Sequence, residues 1–287
     1  MTWLYFALIS SVFITLREFT VKKTGKEMPV AFLSWGMNLV MFIIFLGVSL
    51  ALGNWPEPDV VFFKSLALAS VLDALAMILY LSAIKSGDLS TSIPMLCFIP
   101  VVQLFVTPIL VHEQLTWTGV FGVCMVVSGS YLLNAKGLED LLAPFRQIVH
   151  TPSSRMMLGV ALLWGVSSSF HKIGVTRTSS LYWGMWELGC ISLLLLPAVL
   201  GSRMSVSSFQ EGIQRVALPS LFSAVAVLSY YMAIALGPVA YVSSVRRLGV
   251  LFSMMAGIVF LKERVRMAGL FGGITMIAGA VVISLFG

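Results

Sequence analysis

Ten apolar stretches take up most of the 287 residues, at approximately 3–21, 30–52, 60–84, 90–111, 115–134, 156–174, 179–200, 215–236, 239–260 and 266–286. Each is close to the roughly 20 residues a helix needs to cross the hydrocarbon of a bilayer. Only 10% of the residues are charged and 59% are apolar, against about 25% charged in a soluble domain. One globular core has no room for so much apolar surface. Period-2 alternation is absent, which argues against a β-barrel. The sequence therefore predicts an all-α polytopic membrane protein in contact with lipid on most sides. The first stretch has no basic leader and no small-residue cleavage site, and reads as a retained helix.

Cys97, Cys124 and Cys190 all fall inside predicted spans. An odd number of intramembrane thiols with no CxxC or Cys/His spacing gives neither a disulfide framework nor a metal site. The formal charge of +6 comes mostly from loops, where a basic excess reports topology rather than nucleic-acid binding.

An internal repeat organises the chain. At a shift of 150 residues Tyr80 falls on Tyr230, Gly87 on Gly237, Glu113 on Glu263, Gly119 on Gly269, Gly122 on Gly272 and Gly129 on Gly279. Shared apolar composition explains matching leucines, but not coincident Tyr, Glu and Gly. The repeat divides the chain into a first unit at 1–135, a polar hinge at 136–155 and a second unit at 156–287. Five spans per unit is an odd number, so the second copy enters the membrane inverted. The expected architecture is ten transmembrane helices as two inverted five-helix repeats, an arrangement of secondary transporters with the substrate held between the halves. Gly269/Gly273 and Thr118/Gly122 are small-xxx-small pairs that let helices approach closely, as scaffold or as a dimer contact. The oligomeric expectation is accordingly a monomer or homodimer.

Each unit ends in the pattern LxxExxxxxGxxGxxxxxxG, written LVHEQLTWTGVFGVCMVVSG in the first and FLKERVRMAGLFGGITMIAG in the second. With the duplicated five-span unit, this resembles the EamA branch of the drug/metabolite transporter superfamily over essentially the whole chain. The resemblance implies a substrate cavity lined mainly by helices 1, 3, 4, 6, 8 and 9, with helices 5 and 10 as outer scaffold. Relatives carry amino acids, nucleotide sugars, phosphorylated sugars and other metabolites, so it leaves the substrate open.

An ionisable side chain at a span centre costs at least about 2.5–3.5 kcal/mol on insertion scales, so each needs a partner or water. The candidates are Arg17 and Glu18 on span 1, Asp73 on span 3, His171 and Lys172 on span 6, Glu187 on span 7, and Arg246 and Arg247 on span 9. Arg17 and Lys172 lie near helix ends, within reach of the interface. Arg17, Lys172, Arg246 and Arg247 outnumber Glu18, Asp73 and Glu187 by one, and a surplus cation favours an anionic ligand. Arg246 and Arg247 have two readings. Either Glu187 or Asp73 clamps them, or at least one binds carboxylate or phosphate through the planar guanidinium fork. Their first-unit equivalents are Leu96 and Cys97, so the fold as such does not require them. The pair resembles the adjacent Lys-Arg on helix 9 that holds phosphate in the triose-phosphate translocator branch, although span 4 lacks the first-unit basic residue that completes that site.

Tyr80, Tyr230 and Trp164 are further substrate-binding candidates, with Tyr231, Tyr241 and Trp186 beside them; an interfacial belt is the alternative. Trp35 and Trp183 read as packing. Glu113 and Glu263 read as capping or gate residues. Pro94, Pro100 and Pro108 interrupt span 4, whereas span 9 has no equivalents. No Walker GxxxxGK[ST] is present, so transport is expected to be secondary and without a cofactor, with Glu18, Asp73, Glu187 and His171 as the possible proton carriers. The acids are scattered over different helices, which gives no convergent catalytic set and no enzyme. The basic loops put both termini outside by the positive-inside rule, whereas the resemblance puts both inside.

The leading expectation is a secondary transporter or exchanger of a small anionic metabolite, a carboxylate or phosphorylated compound, in a bacterial cytoplasmic membrane. The alternative is an exporter of amino acids or amphipathic compounds in which the arginines are structural ion pairs.

Overall fold

In the computed structural model the protein is all-helical, with no strand among the described residues, which are 1–24, 28–53, 55–86, 93–134, 151–201, 206–261 and 267–287. The helices are α1 (Thr2–Thr24), α2 (Val30–Leu52), α3 (Val60–Ser86), a 3-10 turn (Ile93–Phe98) leading into α4 (Ile99–Leu110), and α5 (Trp117–Asn134). They continue as α6 (Pro152–Arg177), α7 (Ser180–Leu200), α8 (Val206–Leu236), α9 (Val239–Arg246), α10 (Gly249–Leu261) and α11 (Met267–Phe286). The hinge expected at 136–155 lies almost wholly outside the described residues, and Glu263 lies outside them too.

Among the described residues six helices are long and apolar enough to cross a membrane, with spans at Thr2–Val21, Val30–Leu52, Val60–Ile84, Ser180–Leu200, Glu211–Leu236 and Met267–Phe286. The other four expected spans fall short for reasons visible in their residues. The fourth and fifth are apolar but short. The sixth, α6, carries Ser167, Ser168, Ser169, His171 and Lys172. The ninth is broken between α9 and α10. Phe105, Phe121, Leu193 and Ile274 point outward, while Ser10, Ser70, Ser167, Ser169, Ser220 and Ser244 are buried. This is the polarity of a chain whose surroundings are hydrocarbon and whose polar groups must find partners inside.

The helices pack in related pairs: α1 on α8 and α6 on α3, α2 on α7, and α5 on α11. The α5–α11 contact is the closest. Cβ atoms added at Gly272 and Gly279 would lie 2.6 Å from the Gly129 carbonyl oxygen and 2.7 Å from the Gly122 carbonyl oxygen, so only glycine permits the approach. Gly122 meets Gly279 and Gly129 meets Gly272, which makes the two helices antiparallel. Of the small-residue pairs read from the sequence, Gly122 is in this seam. Gly273 instead faces Leu251 of α10.

Outside the membrane-spanning segments, Asp59 caps α3. Its Oδ1 accepts the Phe62 N–H at 2.8 Å, and its other oxygen pairs with Arg177 at the end of α6. The hydrogen bond from the Phe62 backbone, with the Arg177 charge, holds its carboxyl below the usual carboxylate range. Because that value is lowered on folding, what the cap contributes is present above the unfolded carboxylate value and is lost as pH falls through the lowered one.

Gly272→Val should loosen the α5–α11 seam at an overpacking cost of about 1–3 kcal/mol. Gly47→Val, where an added Cβ meets nothing within 4 Å, should cost far less. Unfolding of the purified protein in detergent, followed by helical circular dichroism, measures both.

Candidate functional site

The ninth span breaks without a proline. At Arg247–Leu248 the ladder shifts to i→i−3 bonds: Leu248 N–H donates to Val245, Val250 N–H to Arg247 and Leu251 N–H to Leu248. That shift leaves the Arg246 carbonyl without a backbone partner among the described residues, and hydroxyls from α1 reach carbonyls on both sides of the break. Ser11 donates to the Arg246 carbonyl at 3.1 Å and Thr15 to the Gly249 carbonyl at 3.0 Å. Gly249 permits this approach, since a Cβ there would lie 3.0 Å from the Ser11 carbonyl. Span 9 has no equivalents of the span 4 prolines, as the sequence shows, and is interrupted all the same. Side-chain hydroxyls do here what prolines do there.

The break delivers Arg246 and Arg247. Arg246 lays its guanidinium over the Tyr230 ring at 4.6 Å from the centroid, and its Nε is buried with no hydrogen-bond partner among the described residues. Arg247 crosses to the first half and donates to the Leu96 carbonyl in the 3-10 turn at 2.5 Å. Neither arginine pairs with an acid among the described residues, whereas Arg17, Lys172 and Arg177 do.

The acids expected to clamp them sit elsewhere. Asp73 of α3 and Glu187 of α7 flank His171 of α6 on opposite ring nitrogens, with Oδ2 of Asp73 3.2 Å from Nε2 and Oε1 of Glu187 3.4 Å from Nδ1. Ser167, one turn before His171, donates to Asp73 at 2.9 Å and lies 3.2 Å from Nε2. Tyr231 of α8 donates to Glu187, and Trp183 donates its indole N–H to Nδ1 at 3.2 Å. All three ionisable groups are buried. Trp183, which the sequence reads as packing, does pack, with its ring edge-on to Phe62 at 5.4 Å and seated over Gly174. It also reaches the histidine, and only the fold makes it a neighbour. Tyr230 and Tyr231 stand 5.7 Å apart. The arginines and the His171 group are thus joined by two successive side chains of α8.

The other candidates are placed differently. Tyr80 and Trp164 pack together at 5.9 Å between centroids, away from the His171 group, and both are half-buried. Glu18 is exposed, beside Arg17 at 3.5 Å and Ser253 of α10 at 3.5 Å. Lys172 closes a helix junction: it donates to the Gly237 carbonyl at 2.9 Å, just past α8, and lies 3.6 Å from Glu113. Both Glu113 oxygens accept the Val239 N–H at 3.1 Å at the start of α9. Acid at a helix N-terminus and base at a C-terminus is the favourable order for both dipoles. The surplus cation counted from the sequence omits Glu113. With the Lys172–Glu113 pair included, the charges balance while His171 is neutral.

Breaking a buried pair by deleting one partner strands the other at about 3–5 kcal/mol. Glu113→Ala should destabilise in that range, and Glu113→Ala with Lys172→Met should cost clearly less than the two singles added. A double-mutant cycle on detergent unfolding reads the coupling.

The sequence profile of the EamA-like transporter family matches residues 1–135 and 154–285. No curated protein matches the chain in sequence. Among solved structures 29 chains match. One of them, described only as the crystal structure of a protein, superposes over 99% of this chain and 98% of its own, with a TM-score of 0.78 at 15% identity. That likeness shows a shared fold. The profile covers nearly the whole sequence and the helices are those of a multi-pass membrane protein, so the chain belongs to the EamA-like transporter family.

Proposed function

We propose that the protein is a secondary transporter or exchanger of a small anionic metabolite, a carboxylate or phosphorylated compound, working by alternating access between two inverted five-helix repeats at 1–135 and 156–287. The observation that carries the anionic substrate is the pair Arg246 and Arg247, which stands at a helix break with no carboxylate partner among the described residues. A guanidinium among membrane helices is costly to leave uncompensated, and a planar oxyanion suits its fork. The exporter alternative needs those arginines paired internally. The two acids available for pairing are engaged by His171.

Packing supports the repeat. Gly122–Gly279 and Gly129–Gly272 are the same contact with the two halves exchanged, as a two-fold relation between the units requires. The α1–α8 and α6–α3 pairs exchange in the same way. The break at Arg247–Leu248 falls 150 residues after the end of the 3-10 turn that opens α4. Discontinuous helices in corresponding positions of two halves mark substrate sites in transporters. We assign the protein to a bacterial cytoplasmic membrane, as a monomer or homodimer with no cofactor, and with Tyr230 at the substrate and Tyr80 and Trp164 beside its path.

A thermal-shift screen of purified protein against phosphorylated sugars, nucleotide sugars, carboxylates, neutral amino acids and organic cations tests the reading. A ligand at 100 times its Kd should add about 2.7 kcal/mol. The expected result is selective stabilisation by an anion that is lost in Arg246→Gln and Arg247→Gln. Stabilisation only by neutral or cationic compounds, unchanged in both variants, would establish the exporter instead.

A further inference from the structure

Asp73, His171 and Glu187 bring three ligand atoms within 4.8 Å of one another. The arrangement fits a proton better than a metal ion. The two carboxylates address opposite nitrogens of one ring at 3.2 and 3.4 Å, whereas a metal takes one imidazole nitrogen at about 2.0–2.1 Å and gathers its other ligands around itself.

The partners of Nδ1 show what a proton would change. Trp183 Nε1 can only donate, and it points at Nδ1 at 3.2 Å. That bond requires Nδ1 to be unprotonated, with the ring proton on Nε2 facing Asp73. Glu187 Oε1, 3.4 Å from the same nitrogen, is the acceptor an Nδ1–H would choose. One added proton therefore moves Nδ1 from Trp183 to Glu187. The groups facing this ring are Asp73 from α3, Glu187 and Trp183 from α7, Tyr231 and, behind it, Tyr230 from α8, and Arg246 from α9. From α4 comes the uncharged Gln103, which donates to Ser168 at 2.8 Å. Lys172, next in sequence, is held by Glu113.

Charge then links this group to the arginines. With His171 neutral, the Asp73 and Glu187 carboxylates balance the Arg246 and Arg247 guanidiniums. One proton on His171 leaves a single positive charge, and one anion at the arginines restores neutrality. We infer that Asp73, His171 and Glu187 form a proton-binding site whose occupancy favours anion binding at Arg246 and Arg247, so that transport is proton–anion symport. The inference rests on the anionic reading of the arginines. Linkage makes the effect mutual: whatever the proton adds to anion affinity, the anion adds to proton affinity.

The test uses the full-length chain. The sequence holds three histidines, and His112→Asn with His150→Gln leaves His171 as the sole one. Asn suits position 112, where φ is 56°. Nitrogen-15 histidine NMR from pH 5 to 9 should show an Nε2–H tautomer at the alkaline end and a doubly protonated ring at the acid end. Sulfate, succinate and glucose 6-phosphate are the probe anions. The Kd of whichever probe binds should fall by up to about tenfold per pH unit on acidification, the limit for one coupled proton. His171→Gln should retain binding and lose the dependence, apart from any titration of the probe, and Glu187→Gln should weaken it. A His171 ring fixed in one state throughout, or wild-type anion binding with the same pH profile as His171→Gln, would overturn the proton site while leaving the anionic reading intact. A titrating His171 with no anion bound at any pH would overturn both the symport and the anionic reading. Stabilisation by Zn2+ that is lost in Asp73→Asn and Glu187→Gln would replace the proton with a metal.

Discussion

A peptide carbonyl opened inside a bilayer has no water to turn to, and this constraint governs how the protein is able to place two arginines among its helices. Breaking the ninth span frees the carbonyl of Arg246, and the Gly249 carbonyl faces α1 beside it. Ser11 and Thr15, one turn apart on α1, are aligned to take both. Ser10 turns to α8, where it donates to the Ala226 carbonyl at 2.7 Å. Ser11 and Thr15 turn to the ninth span, so the first helix ties the two together beside the arginines.

The same accounting explains the charges. Each buried ionisable group is held by a different kind of partner: Lys172 and Glu113 by two helix ends and each other, Asp73 and Glu187 by a shared histidine, Arg246 by an aromatic face, Arg247 by a backbone carbonyl. Only the last two form no ion pair with an acid among the described residues. A carbonyl or a ring satisfies hydrogen-bonding and quadrupole terms but does not cancel a net charge. That difference is what the proposed anion site rests on.

The all-helical, multi-span character was legible because membrane helices announce themselves by length and apolarity. Gly122 and Gly272 could be matched to each other in the sequence. That each would meet the other's partner, Gly279 and Gly129, could not, since spacing gives a face but not the helix opposite it. Prolines made the interruption near span 4 legible. The break in span 9 was hidden because its cause, Ser11 and Thr15, lies more than 230 residues away. The candidate site divides in the same way. Asp73, His171, Glu187 and the arginines stood out as polar residues in apolar stretches. Their pairing was not written there, and Trp183 looked like any other buried aromatic until its N–H was seen against His171.

α8 gives the two groups a mechanical connection as well as an electrostatic one. Its neighbours Tyr230 and Tyr231 face different partners, Arg246 on one side and Glu187 on the other. A shift of α8 relative to α7 alters the hydroxyl at Glu187, and the same shift relative to α9 alters the ring beneath Arg246. Because the tyrosines are adjacent in one helix, a rigid movement of that helix reaches both contacts. A switch between two states requires an element in contact with both sites and with discrete packed arrangements to move between. α8 has the first property by virtue of two consecutive residues. Its packing against α1, α2 and α7 ties that link to helices from both halves of the chain.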